Sequence, residues 1–166
     1  MRTASAILFL SLLLLASAGR SLAAPSYTAE LSGSNVVPPT ESAATAHLEL
    51  VGYCDESGAD STSIFFNVWQ VGVGEARIVY LAHGAPETNG PTLYTLVSGQ
   101  FWLASGTVRV APEHCEWLNA GELYIVITSF RYPDGEVRAQ VIPTPSPVLP
   151  QTWGRVKSVF RGPPER

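Results

Sequence analysis

Residues 121–141 read G-E-L-Y-I-V-I-T-S-F-R-Y-P-D-G-E-V-R-A-Q-V. Leu123, Tyr124, Ile125, Val126, Ile127 and Thr128 are aliphatic, aromatic or β-branched, the types that suit a pleated surface. Pro133, Asp134 and Gly135 make a turn with a mechanism. Proline presets its own φ, aspartate hydrogen-bonds nearby backbone, and glycine accepts positive φ. Beyond the turn, Val137, Ala139 and Val141 alternate with Glu136, Arg138 and Gln140, the period of a half-buried strand. The stretch is a hairpin, and it predicts an all-β domain that these two strands close.

The chain upstream of the hairpin has the same texture. Residues 27–31 predict a short first strand. Residues 35–42 are a loop, because Pro38 and Pro39 cannot donate to a ladder. Ala44, Ala46, Leu48 and Leu50 alternate with Thr45, His47, Glu49 and Val51, which predicts a half-buried strand. Ile64, Phe66 and Val68 alternate with Phe65, Asn67 and Trp69. Both faces of that strand are bulky, so it is expected to be central and covered on both sides. Residues 76–81, 92–97 and 106–110 supply further strands. Residues 112–120 are expected to hold a short helical turn, with proline at its start and Gly121 at its end. The expected core is Leu48, Leu50, Phe66, Val68, Ile78, Ile125, Ile127 and Val137. About seven to eight short antiparallel strands imply a β-sandwich or barrel of immunoglobulin-like or superoxide-dismutase-like architecture.

Four stretches, in order, resemble the CHRD (chordin-type) domain family. L-S-G-S-N-V-V-P-P at residues 31–39 is similar to that family's opening L-S-G-x-x-x-V-P-P. H-G-A-P at residues 83–86, followed by N-G-P at 89–91, is similar to its central H-I-H-G-x-A and N-G-P segment. A-G-E-L-Y at residues 120–124 is similar to its A-G-x-x-Y, and P-D-G-E-V-R-A-Q at 133–140 to its closing G-E-I-R-G-Q. The resemblance covers about residues 27–142 and implies an extracytoplasmic β-domain. It does not by itself assign a chemistry, because function lives in sites grafted on folds.

The ends of the chain differ from its middle. Residues 1–18 carry Arg2, a short apolar run and an A-x-A site at Ala16, Ser17 and Ala18, the pattern of a secretory signal, with cleavage after Ala23 as an alternative. The run is shorter than the ~20 apolar residues of a spanning helix, so no transmembrane segment is expected after cleavage. From Pro143 the chain turns proline-rich, which predicts an extended linker. Residues 153–161 then place Trp153, Val156 and Phe160 where one face of a short helix would gather them, near Arg155, Lys157 and Arg161. This is either a frayed tail or a peptide that docks on a partner or an envelope surface.

Two cysteines, Cys54 and Cys115, behind a secretory signal favour a disulfide, with free thiols or a redox pair as the alternatives. A formal net charge of −4 gives no electrostatic reason to expect nucleic-acid binding. The three histidines are His47, His83 and His114. Leu81, Thr128 and Tyr132 stand where relatives often have histidine, so a histidine-rich metal site is not expected. His83 reads either as a loop residue bonding backbone near Gly84 or as a ligand. Glu136 and Arg138 share a strand face and read as an exposed ion pair or, with Asp134 and His83, as a polar cluster at one end of the domain. No nucleophile elbow or phosphate loop is present. Trp69, Trp102 and Trp117 read as core or as a contact surface.

The sequence thus predicts a secreted or periplasmic, non-enzymatic binding or structural module without a cofactor or metal. Its partner is an unidentified extracytoplasmic protein or surface component. A metal-binding protein or metal-dependent enzyme, and a surface-assembly component with an anchoring tail, are the alternatives.

Overall fold

The computed structural model describes residues 26–54 and 60–144. The proposed signal segment lies outside the described residues, as does the tail bearing Trp153, Val156 and Phe160. Among the described residues, nine strands and one α-helix, besides a 3-10 turn at Gly33–Asn35, follow in the order β1 (Ser26–Ser32), β2 (Thr45–Val51), β3 (Thr62–Val71), β4 (Ala76–His83), β5 (Thr92–Ser98), β6 (Leu103–Val110), α1 (Pro112–Ala120), β7 (Leu123–Ser129), β8 (Val137–Gln140) and β9 (Ile142–Thr144). All pairings are antiparallel. The strands line up as β5-β4-β7-β8-β1-β2-β3-β6, with β9 beside β1. The two outermost strands, β5 and β6, touch one another, so the sheet curls into a nearly closed barrel. The expected all-β architecture is what the chain forms.

Alternation along each strand fills the interior. Leu48 and Leu50 from β2, Ile64 and Val68 from β3, Leu81 from β4, and Leu123, Ile125 and Ile127 from β7 are fully buried in one core. Each such aliphatic side chain contributes roughly 1.5–3 kcal/mol of burial. β7 is buried at every position. Its odd-numbered residues face the core, and Tyr124 and Val126 face outward into a second small cluster with Ala82 and Tyr80. That double burial is why its sequence is a continuous apolar run.

Two expectations need correction. Ile78 is not core: it is 38% exposed. The register of β4 against β7 slips between Ala76 and Ile78, so Ala76 and Val79 point inward and Ile78 outward. A bulge of this kind inserts one residue and reverses the alternation. Nor is β3 covered on both faces. It lies between β2 and β6, but Phe65 and Trp69 stand exposed on its outer side, because the long loops fold over β4, β7 and β8 instead. The strand pairing also runs on through Pro143 and Thr144, which pair with Tyr27 and Ser26 where the linker was expected to begin.

The segment at 112–120 is a helix of 9 residues, longer than a single turn. Pro112 opens it. Gly121, at φ 74°, closes it in the left-handed conformation that glycine enters without a Cβ penalty. Cys115 and Leu118 are its buried residues. Cys115 is bonded to Cys54, with Cα atoms 5.2 Å apart, which pins the helix to the end of β2.

Candidate functional site

Glu136, Arg138 and Gln140 alternate with inward-facing Val137 and Ala139, so all three face outward. Register places Arg138 beside Val126 and Tyr80, and Gln140 beside Tyr124 and Ala82. Two loops lie over this face: residues 33–44 between β1 and β2, and residues 84–91 between β4 and β5.

Arg138 holds both loops. Its Nη1 donates to Asn35 O at 3.2 Å, and its Nη2 to Ala85 O at 3.3 Å and Thr88 O at 2.9 Å. The guanidinium carbon sits 3.9 Å from the centroid of the Tyr124 ring. A cation over an aromatic face gains from the ring quadrupole, most when desolvated, and Arg138 is 3% exposed. Burial pushes its pKa down from the ordinary arginine value, while the nearby Tyr124 and Tyr80 act the other way.

The neighbouring side chains repeat the pattern. Gln140 Nε2 donates to Gly84 O at 2.8 Å, and Asn89 Nδ2 joins the two loops by donating to Val37 O at 2.7 Å. Tyr124 Oη accepts from Gly90 N at 2.9 Å and donates to Gly90 O at 3.2 Å. Thr40 Oγ1 donates to Glu136 O, and Ser42 Oγ to Glu136 Oε1 at 2.7 Å. Gly84 N donates to Glu122 O at 3.0 Å. All four stretches that carried the resemblance therefore meet here, and most of these bonds run from a side chain to main-chain groups. The set is a clasp that fixes loop conformation.

The expected cluster of His83, Asp134, Glu136 and Arg138 does not assemble. His83 pairs with Leu123 at one end of β7, and Asp134 lies in the turn beyond Ser129 at the other. At ~3.3 Å per residue the strand holds them roughly 20 Å apart. Glu136 and Arg138 are buried, at 5% and 3% exposure, rather than at an exposed edge, and they form no ion pair with each other. Their adjacency on one face was legible. The loops that cover them were not, since those come from 53 and 103 residues away in sequence.

His83 instead stacks on Trp117, ring centroids 4.0 Å apart, with its Nε2 3.5 Å from Glu122 Oε2. His114 also stacks on Trp117, at 4.8 Å, and its Nδ1 bonds Tyr94 Oη. His47 stacks on Trp69 at 4.2 Å and pairs with Glu30. Each histidine is thus engaged with an aromatic ring. Among the described residues, no three His, Cys, Asp or Glu side chains converge as a metal-ligand group, and no helix is long and apolar enough to cross a membrane.

A second feature lies on the outer face of β3 and β6. Phe65, Trp69 and Val71 from β3 and Leu103 from β6 are exposed there, with Trp102 beside them at 74% exposure. Trp69 and Leu103 are cross-strand partners. Of the three tryptophans considered together, Trp69 stands on this face, Trp102 is exposed just ahead of β6, and Trp117 belongs to the histidine stack.

Comparison with curated proteins and with solved structures finds no match. The family profile of the CHRD domain matches residues 27–141, a span that starts within β1, ends just past β8 and contains the whole clasp. The chain is a member of the CHRD domain family.

Proposed function

We propose that this chain is a secreted or periplasmic binding module, not an enzyme, and that it meets its partner through the outer face of β3 and β6. The observation that carries this reading is the exposed cross-strand pair of Trp69 and Leu103, with Val71 next along the same face of β3. An apolar patch left open on a folded domain is a feature of interaction surfaces, and aromatic side chains are the usual anchors of such surfaces. The clasp fits the same reading. Most of its polar side chains are spent on main-chain groups of the chain itself, as a scaffold requires. The Cys54–Cys115 bridge supports an oxidising compartment.

The test is capture of partners from the cell envelope or culture medium of the producing organism. Wild-type protein is compared with Phe65→Ala and Trp69→Ala. The variants should lose a specific partner while still unfolding in one cooperative transition, at a midpoint lowered only modestly. Undiminished capture by the double variant would overturn the reading.

A further inference from the structure

The outer faces of β9, β1, β2, β3 and β6 run side by side. Register sets Thr144, Ser26, Val51 and Phe65 in one cross-strand row, and Glu30, His47, Trp69 and Leu103 in another. The members from β1, β2 and β3 alternate with buried residues of their strands, so they point outward. The face is graded. Trp69, Val71 and Leu103 make its β3 and β6 side apolar, while Glu30 and Glu49 put carboxylates on β1 and β2. Arg109 of β6 pairs with Ser63, in the row beyond Phe65 and away from Trp69.

The described chain ends at Thr144, at the margin of this face. Residues 145–152, P-S-P-V-L-P-Q-T, lead from there to Trp153. Crossing from β9 to β3 at ~4.8 Å per strand, then running from Phe65 to Trp69 at ~3.3 Å per residue, takes roughly 20 Å. A proline-rich stretch of that length, at ~3.1 Å per residue, spans about 25 Å. Reach and distance therefore match, and a linker that matches its span gives an effective concentration in the millimolar range. A contact too weak to form between separate molecules is populated at that concentration. Residues 153–161, W-G-R-V-K-S-V-F-R, carry Trp153, Val156 and Phe160 together with Arg155, Lys157 and Arg161. Apolar and basic side chains in one segment complement a face that carries apolar and acidic ones side by side.

We propose that residues 153–161 dock on the outer face of their own barrel, with Trp153 and Phe160 against Trp69 and Leu103 and the basic residues toward Glu30 and Glu49, and so compete with the partner for that face. The inference rests on the reading of that face as the binding surface and names its regulation: the partner must displace the tail.

The full chain is followed by NMR without a partner. Nuclear Overhauser contacts should join the Trp153 and Phe160 rings to the side chains of Trp69, Val71 and Leu103. They should persist on dilution and, in a mixture of labelled and unlabelled protein, arise within one chain. Trp69→Ala should return the tail rings to random-coil shifts. Glu30→Gln combined with Glu49→Gln, at sites outside the core, should weaken the contacts and reduce their dependence on salt. Tail rings that touch no part of the face would overturn the proposal. So would contacts found only between two chains, which would make a second copy the occupant, or tail rings that respond to anionic lipid vesicles alone. Partner capture separates the two readings. Trp153→Ala combined with Phe160→Ala leaves the barrel untouched and should raise capture severalfold. Unchanged capture in that variant would overturn the competition. Loss of capture in Trp69→Ala with no tail contacts overturns the docked tail alone. Tail contacts present, with capture indifferent to Trp69→Ala, support the docked tail and overturn the face as the partner's site.

Discussion

The guanidinium of Arg138 lies against the ring of Tyr124 at 3.9 Å, and the hydroxyl at the far end of that ring grips both main-chain polar groups of Gly90. One side chain of β8 and one of β7 thus jointly hold the loop at residues 84–91. Arg138→Lys keeps the charge but loses the planar fork that reaches Asn35, Ala85 and Thr88. It puts a buried ammonium where it cannot reach all three loop carbonyls, so we expect a loss of about 2 kcal/mol in urea unfolding. Hydrogen exchange should rise in residues 84–91 well before it rises in β7.

Tyr80 sits in the register row of Arg138. Burial is the main reason its pKa lies above the ordinary 10.0. Tyr124 and Asp134 push it further up, and Arg138 pulls it down. The folded state therefore holds the phenolic proton more tightly than the unfolded chain does. That contribution is fully present below pH 10.0, and it is lost as pH rises through the folded-state value. Tyr80→Phe should flatten the alkaline limb of the stability profile relative to wild type while leaving the neutral region nearly unchanged. An identical alkaline limb in the two proteins would contradict this.

The Cys54–Cys115 bridge spans 61 residues of sequence. In the chain-entropy account, closing a loop of that length contributes about 4 kcal/mol. Cys54→Ala combined with Cys115→Ala should lower the unfolding free energy by that order, and reductant should destabilise wild type but not the double variant.

Much of the barrel was legible because its strands obey simple periods. The hairpin around Pro133, Asp134 and Gly135 has a turn whose chemistry is local, and β2 and β3 alternate cleanly. Ile78 was misread because nothing in the residues around Arg77 announces a bulge, and a single inserted residue reverses every later parity. Truncation measures the difference. Ile125→Ala, at a fully buried site, should cost about 2–5 kcal/mol. Ile78→Ala, 38% exposed, should cost under about 1 kcal/mol.

The site was legible in its letters and not in its geometry. Glu136, Arg138 and Gln140 sit on one strand face by parity alone, which the sequence states. That residues 33–44 and 84–91 fold across that face depends on contacts between distant segments, which local pattern does not encode. The same holds for His83. Its neighbours in sequence suggested a loop residue beside Gly84, but its ring finds Trp117 in the helix, 34 residues onward.

Gly90 shows why a motif position in a loop admits so little change. A Cβ built on it would lie 1.8 Å from His83 O, a main-chain atom that cannot swing aside. His83 N is itself bonded to Pro91 O, so the loop has no slack on that side. Gly90→Ala must push the loop outward and break its two bonds to Tyr124. The expected loss is about 2 kcal/mol or more. Gly74→Ala, where a Cβ meets nothing within 4 Å, should change stability by no more than about 0.5 kcal/mol. Tyr124→Phe removes the same two bonds from the other end, so its effect should not add to that of Gly90→Ala. If the double variant loses the full sum of the two single losses, Gly90 and Tyr124 act independently and the loop is not held in the way its hydrogen bonds indicate.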